Sequence, residues 1–338
     1  MRILVVGGGS IGRRHAINAA EYGSVAVCDL DAACAHSVAK EAGGVALTTI
    51  AAALDWKPDA AVIAVPTAKH VDVADQFVGT GVPLLIEKPI SHSDVQAEAL
   101  LKRAAAKGCS IYIGCNMRYH PGPATLKQAI RRVGRPLYLR AQFGNYLPNM
   151  RPGRDYRELY CARRSSGGGV ILDSIHEIDY AIWLLGPASD VMASAGRLSD
   201  LDIDVEDYAT ISATHALGAR SEIHLDYLQQ FKRRGCEIVG TEGTLIWTSE
   251  GKSPEALEVR LFTAAGGAWE TLERIADVDA NAPYRAMLRA FIDVAAGAGA
   301  ASDSALLRGD EALASLRVCR AALDAVERRA LRPAVGRA

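Results

Sequence analysis

The residues with the most chemical content stand at the start of the chain. MRILVVGGGSIGRRH sets Gly7, Gly9 and Gly12 in G-x-G-x-x-G spacing behind a short apolar run, and Asp29 closes the next apolar run. Gly7 permits a tight turn, Gly9 lets backbone approach a pyrophosphate, and Gly12 lets a helix pack closely on a strand. The helix opens on Ser10 and Ile11, whose free N–H groups and positive dipole end suit phosphates. A carboxylate at Asp29 accepts the hydroxyls of an adenosine ribose and repels a 2′-phosphate, which favours NAD over NADP. Arg13 and Arg14 pull weakly the other way; they sit either near a phosphate or on a solvated first helical turn.

Further candidates fall at later strand and helix ends. Lys88 follows the run PLLIE (83–87) and precedes Pro89. A free lysine has a pKa of about 10.4, so work as a base needs desolvation or a nearby positive ring to lower it. The alternative is a surface lysine. Ser174-x-x-Glu177 has capping-box spacing and predicts a helix start at Ser174. His176 then lies in the first turn, where the dipole disfavours an imidazolium and keeps a neutral base available. Asp173 and Asp179, each three residues from His176, are placed to share its helix face, while Tyr180 and Trp183 read as packing. Arg118 and His120 bind substrate or, equally, form an ion pair and cap a turn. Arg151, Arg154, Tyr156, Arg157 and Tyr160 gather guanidinium and phenol groups into either an anion clamp or a solvated loop. No cluster has zinc spacing and no serine or cysteine triad is visible, so no metal is expected.

These residues need a scaffold, and the pattern supplies one. Strand-like and helix-like segments alternate through the first 120 residues, which predicts a parallel sheet with helices on both faces. Its ligands bind beyond the carboxyl ends of the strands. Pro66-Thr67, Glu87-Lys88-Pro89 and Cys115-Asn116 stand at such ends. After Pro121-Gly122-Pro123 alternating strands dominate, interrupted by a helix at 174–185 and closed by two more at 283–296 and 304–328. The reading is an α/β domain with a parallel sheet and helices on both faces over 1–120, and an α+β domain with a mostly antiparallel sheet covered on one face over 121–338. The last residues, RPAVGRA, read as a frayed tail.

Composition excludes other classes. The 338 residues carry 23% charged side chains and a net charge of −1, so neither a nucleic-acid groove nor a polybasic membrane patch is expected. Seven scattered cysteines without C-x-x-C spacing suit reduced thiols in a cytoplasm. The first apolar run reads as a strand rather than a signal peptide, and no apolar run is long enough to span a membrane.

The pieces GGGSIG (7–12), AVIAVPTAKH (61–70), EKPI (87–90), CNMRYHP (115–121), GGGVILDSIHEIDY (167–180) and IVGTEGTL (238–245) occur together in order. In this the chain resembles the Gfo/Idh/MocA oxidoreductases. The resemblance implies an N-terminal Rossmann domain that binds NAD or NADP, a C-terminal open-faced sheet domain, a sugar, polyol or nucleotide-sugar substrate, and dimers or tetramers formed through the open sheet. It implies a cofactor site of Gly7, Gly9, Ser10, Ile11, Gly12, Asp29, Pro66, Thr67, His70, Glu87, Lys88 and Asn116. Lys88, His176 and Asp173 become the catalytic set, and Asn116, Arg118, Arg154, Tyr156, Arg157, Asp173 and His176 the substrate set. NYLPNMRPGRDYR (145–157) is similar to a branch associated with bacterial surface-sugar biosynthesis. One departure stands out: the family's D-x-G-x-H is one residue shorter here, Asp173-Ser174-Ile175-His176. The reading is an NAD-dependent oxidoreductase of a secondary alcohol or its ketone. The alternatives are a dinucleotide-dependent sensor without turnover and a reductase of a non-sugar imine or enone.

Overall fold

The computed structural model describes residues 1–299 and 305–330. These divide into two compact units, Met1–Tyr119 with Ala280–Leu313, and His120–Asp279 with the chain from Ala314 onward.

The first unit opens with β1 (Arg2–Val6), α1 (Ser10–Ala19), β2 (Ser24–Cys28), α2 (Ala32–Glu41), β3 (Val45–Leu47) and α3 (Ile50–Asp55). It continues with β4 (Ala60–Ile63), α4 (His70–Asp75), β5 (Leu84–Glu87), α5 (Asp94–Ala106) and β6 (Ile111–Gly114). β1, β4 and β5 are apolar runs buried on both faces, as helices on either side of a parallel sheet require. The six strands pair in parallel in the order β6-β5-β4-β1-β2-β3. Parallel pairing brings the carboxyl ends of β1, β2, β4, β5 and β6 to one edge of the sheet, so the glycine turn, Asp29, Pro66, Lys88 and Asn116 follow from that edge.

The second unit begins with α6 (Pro121–Ala129) and β7 (Pro136–Gly144). Four single 3-10 turns then carry the chain to α7 (Val170–Asp173) and α8 (Ile175–Leu185). The remaining strands are β8 (Ala188–Gly196), β9 (Tyr208–His215), β10 (Arg220–Asp226), β11 (Arg233–Gly240), β12 (Gly243–Gly251), β13 (Glu255–Thr263) and β14 (Trp269–Ile275). They form one sheet in the order β14-β13-β12-β11-β7-β10-β9-β8. Its pairs are antiparallel except β7 with β10. Alternation along β7 buries Leu139, Ala141 and Phe143 on the covered face and leaves Tyr138, Arg140 and Gln142 on the open one. Trp247 of β12 is fully buried on the covered face, and α6 approaches it closely enough that only glycine fits at 122.

The chain then returns to the first unit. α9 (Ala282–Ala295) sets Met287, Leu288 and Phe291 into the same core as Ile3, Val5 and Leu85. β15 (Leu307–Arg308) adds a short antiparallel strand to the outer edge of β6. α10 (Gly309–Ala330) starts in the first unit and continues in the second. The boundary read from sequence, which left all of 121–338 in the second domain, is corrected by this return: Ala280–Leu313 belongs with the first. The expected start of the final helix at 304 and the RPAVGRA tail lie outside the described residues.

Candidate active site

The glycine turn meets its requirements by geometry. Gly7 has φ +98°, and a Cβ there would lie 2.5 Å from Ala64 O. A Cβ on Gly12 would lie 1.8 Å from Gly7 O, whereas one on Gly9 would meet nothing within 4 Å. Helix and strand are thus pressed together at Gly12, while the backbone at Gly9 faces open space. Gly9 caps α1 without a side-chain bond, and the first turn holds no acidic residue. Ser10 and Ile11 therefore present N–H groups and the positive helix end to an anion. This arrangement fits a dinucleotide pyrophosphate.

Asp29 leaves the end of β2 with its carboxylate already oriented. Oδ2 accepts from the Gly8 N–H at 2.6 Å and Oδ1 from the Asp31 N–H at 2.9 Å. Both arginines of the first helical turn are engaged. Arg13 binds Glu41 through Nε at 2.8 Å and Nη2 at 2.6 Å. Arg14 lies over the Tyr284 ring at 4.5 Å and donates to Ala280 O at 3.3 Å. A 2′-phosphate would meet the Asp29 carboxylate with these two cations drawn elsewhere, which favours NAD.

The turn after β5 carries Lys88, half-buried, between a buried Glu87 and a cis Pro89. Glu87 Oε1 lies 2.7 Å from His15 Nε2, and Oε2 accepts from the Lys88 N–H at 3.3 Å. His70 is buried, its two ring nitrogens 2.8 Å from Pro89 O and from Val65 O. Burial pushes the His70 ring toward its neutral form, against the pull of both carbonyls. Thr67 is buried and Pro66 exposed at the turn after β4. Asn116 opens the 3-10 turn after β6, and Arg118, two residues on, is buried and lies 3.3 Å from Glu311.

In the second unit three glycines bend the chain into α7. Gly167 and Gly169 take φ of +78° and +111°, and a Cβ at Gly169 would strike the Glu206 carboxylate. Glu206 Oε1 accepts from the Ile171 N–H at 3.1 Å, which ties down the start of α7. Burial raises the Glu206 carboxyl above its usual range.

Asp173 ends α7 and His176 is the second residue of α8. The two are on separate helices, so the expectation that they share one helix face is corrected. The break is Ser174, with φ −97° and ψ 30° and no side-chain cap bond. The expected capping box is therefore absent. An N-cap needs extended backbone, and a residue wedged between two helices does not have it. Glu177 instead pairs with Arg234 at 2.7 Å. Asp173 accepts from the Tyr160 hydroxyl, and from the Tyr227 hydroxyl at 3.3 Å. Burial, then the Asp173 charge, raises the Tyr227 phenol far above its usual value. His176 is buried in the first turn of α8, and Asp179 on the same helix accepts from Ser315 at 3.4 Å. Tyr180 packs edge-on to Trp247 at 6.0 Å, as read from sequence, whereas Trp183 lies under the Lys127 ammonium at 5.1 Å.

The arginine-rich segment divides. Arg157 is held by Asp155, two residues earlier, with Nε 2.9 Å from either carboxylate oxygen. That pairing keeps the Asp155 carboxyl down at about 2. Tyr156 accepts from the Asp202 N–H at 3.1 Å, and Arg154 is exposed. His120 caps α6, its Nδ1 accepting from the Gly122 N–H at 3.2 Å.

Sequence reasoning passed over His15 and Tyr227. Their partners stand 72 and 54 residues away, so no local spacing marks them. Among the described residues no group of three or more His, Cys, Asp or Glu could hold a metal.

Comparison with known proteins agrees with this construction. Residues 1–115 match the model of the oxidoreductase family with an NAD-binding Rossmann fold, and residues 124–246 match the GFO/IDH/MocA C-terminal domain. The chain is 28% identical over 310 residues to myo-inositol dehydrogenase Hyg17 of Streptomyces leeuwenhoekii, spanning 88% of this chain and 89% of that one. The solved structure of UDP-N-acetylglucosamine 3-dehydrogenase GnnA from Acidithiobacillus ferrooxidans is 26% identical. It superposes with a TM-score of 0.77 over 97% of this chain and 98% of its own. GenD2 from gentamicin A biosynthesis, solved with NAD, is 25% identical with a TM-score of 0.77, covering 97% and 94%. The chain is an NAD-dependent oxidoreductase and belongs to the Gfo/Idh/MocA family.

Proposed function

We propose that the protein oxidises a secondary alcohol of a sugar, polyol or nucleotide-sugar derivative, or reduces the matching ketone. The observation that carries this is the shared edge of the first sheet. The anion-ready glycine turn, the oriented Asp29 carboxylate and Lys88 all follow the carboxyl ends of strands paired in parallel. The similarity to an inositol dehydrogenase and a UDP-sugar dehydrogenase supports the substrate class.

NAD, when bound, accepts or returns the hydride. The chain's own residues must move the hydroxyl proton and hold the reacting carbon in place. In this reading Lys88 and His176 share the proton, and Asp173, gripped by two phenols, orients rather than transfers. Gly7, Gly9, Ser10, Ile11, Gly12 and Asp29 bind the dinucleotide, with Pro66, Thr67, Glu87 and Asn116 bordering it and His70 shaping that border. Arg154 and Tyr156 face substrate; Arg118 and Arg157, being paired, contribute through the loops they hold. Homo-oligomers form through the open face of the second sheet, where Tyr138, Arg140 and Glu222 lie. The protein acts in the cytoplasm, which suits its seven free cysteines.

The test is turnover. The protein is given NAD with myo-inositol, UDP-N-acetylglucosamine and related polyols and nucleotide sugars, and the ketones with NADH, while absorbance of the reduced cofactor is followed. Turnover on at least one member is expected. Tight NAD binding with no turnover in either direction would favour a sensor.

A further inference from the structure

Two buried histidines outside the proton chemistry grip the residues on either side of Lys88. His15, on α1, is 0% exposed and holds Glu87 Oε1 at 2.7 Å; His70, at the start of α4, is 1% exposed and lies 2.8 Å from Pro89 O. The first contact fixes the residue before the lysine and the second the residue after it. The glycine at 114 makes room, since a Cβ there would stand 2.8 Å from Glu87 Oε1. Tyr284 of α9 meets the His15 ring edge-on at 5.9 Å.

We propose that His15 and His70 are positioning residues that set the Lys88 amine, His15 through the Glu87 carboxylate and His70 through the Pro89 carbonyl. The proposal rests on the reading of Lys88 as a proton-handling group. Burying a carboxylate and an imidazole together costs free energy that an apolar pair would not. If their work were only to join α1 to β5, leucine-like side chains would do it better. The polar pair makes sense where it stands because Glu87 accepts from histidine with one oxygen and from the Lys88 N–H with the other. Its carboxylate thereby fixes the backbone at the lysine. On the far side of the turn the two His70 ring nitrogens stand 2.8 Å from Pro89 O and from Val65 O, after the β4 segment, and the neutral ring donates its one N–H to one of these carbonyls at a time. The Lys88 turn is thus tied to the helix that opens the cofactor site and to the turn after β4. A group that must meet a reacting hydroxyl within about 3.2 Å gains from such a brace.

The experiment uses the full chain and reads Lys88 directly. Lysines are reductively methylated with carbon-13 and observed by NMR, the Lys88 signal being the one missing from Lys88→Ala. His15→Leu and His70→Leu should each move that signal while the other lysine signals stay. His15→Gln, whose amide can still donate to Glu87, should restore it. In turnover with whichever of myo-inositol or UDP-N-acetylglucosamine reacts, His15→Leu should lower kcat about tenfold or more with NAD affinity nearly unchanged. Combined with Lys88→Ala, it should add no further loss, because the two act through one group. If His15→Leu does not fold, Glu87→Gln, equal in shape, takes its place with the same expectation for the Lys88 signal and for non-additivity with Lys88→Ala, NAD affinity not being part of that comparison because Glu87 borders the cofactor. An unmoved Lys88 signal in folded variants, equal losses for leucine and glutamine at 15, or additive losses with Lys88→Ala would each overturn the brace. A Lys88→Ala enzyme with parental kcat would instead overturn the role of Lys88 itself.

Discussion

Replacing Asp29 with asparagine removes a charge and almost nothing else, so its consequences can be worked from contacts in hand. The carboxylate accepts one N–H per oxygen, from Gly8 at 2.6 Å and from Asp31 at 2.9 Å. An amide keeps one acceptor and turns an NH2 group toward the other N–H. One charge-assisted bond, worth about 1.5–3 kcal/mol, is lost or inverted. Part of this loss falls on the Gly8 turn, which must be ordered to receive phosphates, so dinucleotide affinity should drop roughly 10- to 100-fold, at about 1.4 kcal/mol per factor of ten. NADH also loses charge-assisted bonds from its adenosine ribose hydroxyls to the carboxylate. NADPH suffers the same loss of order but escapes repulsion between a carboxylate and a phosphate carrying close to two charges. The ratio of the two dissociation constants should therefore narrow by about tenfold. Fluorescence titration of both reduced cofactors, at low and at moderate salt, measures it. The narrowing should be larger at low salt, where screening is weaker. Equal affinities in the parent protein, or an unchanged ratio in Asp29→Asn, would refute the reasoning.

Other outcomes follow from the second unit. His176→Ala should cost about 10²-fold or more in kcat/KM, whereas Asp173→Asn should cost under about tenfold because an amide oxygen still accepts from a tyrosine; the reverse ranking would hand the base role to the acid. Glu255 accepts from Lys232 at 2.6 Å and from the Ser249 hydroxyl, with the His120 ring 3.6 Å away, beyond hydrogen-bond length. Burial pushes its carboxyl up, but these neighbours outweigh burial and hold it well below the usual range. Its contribution is then complete above the ordinary glutamate pKa of about 4.3 and fades as pH falls through the depressed folded value. Glu255→Gln should cost about 2–4 kcal/mol at neutral pH, seen as a drop of roughly 5–15 °C in thermal unfolding, and the gap to the parent should close in acid. Gly122→Ala drives a methyl to 2.2 Å from the buried Trp247 ring and should destabilise by about 1–3 kcal/mol in the same assay.

What was legible in the sequence was local. β1 and β2 begin and end where the sequence pattern does, because a strand buried over nearly its whole length declares itself by composition. β7 was equally plain from its alternation. β14 was not: WETLERI is an edge strand with little buried face, so no period survives. β15 has two residues and exists only because β6 offers an edge. The glycine turn and Asp29 were legible for the same reason, a fixed spacing inside one βαβ unit. The braces around Lys88 and the phenols on Asp173 were not, since they join residues 13 to 72 positions apart, beyond any spacing within one element. The misreading at Ser174 has another cause. Capping-box spacing specifies residue types but not the extended backbone they need, and α7 ends immediately before it.

The return of the chain to its first unit has a consequence for synthesis. A ribosome delivers β1 to β6 early, yet Met287, Leu288 and Phe291 of that core, and the strand that covers β6, come only after the whole of His120–Asp279. At about 5–20 residues per second the nascent sheet waits roughly ten to thirty seconds with one edge bare and its core unfilled. An open parallel edge invites pairing with other chains. The dinucleotide fold is therefore begun first but not completed until Leu313, after most of the second unit has been made, and a product truncated near 119 should emerge as an aggregation-prone fragment rather than a small NAD-binding protein.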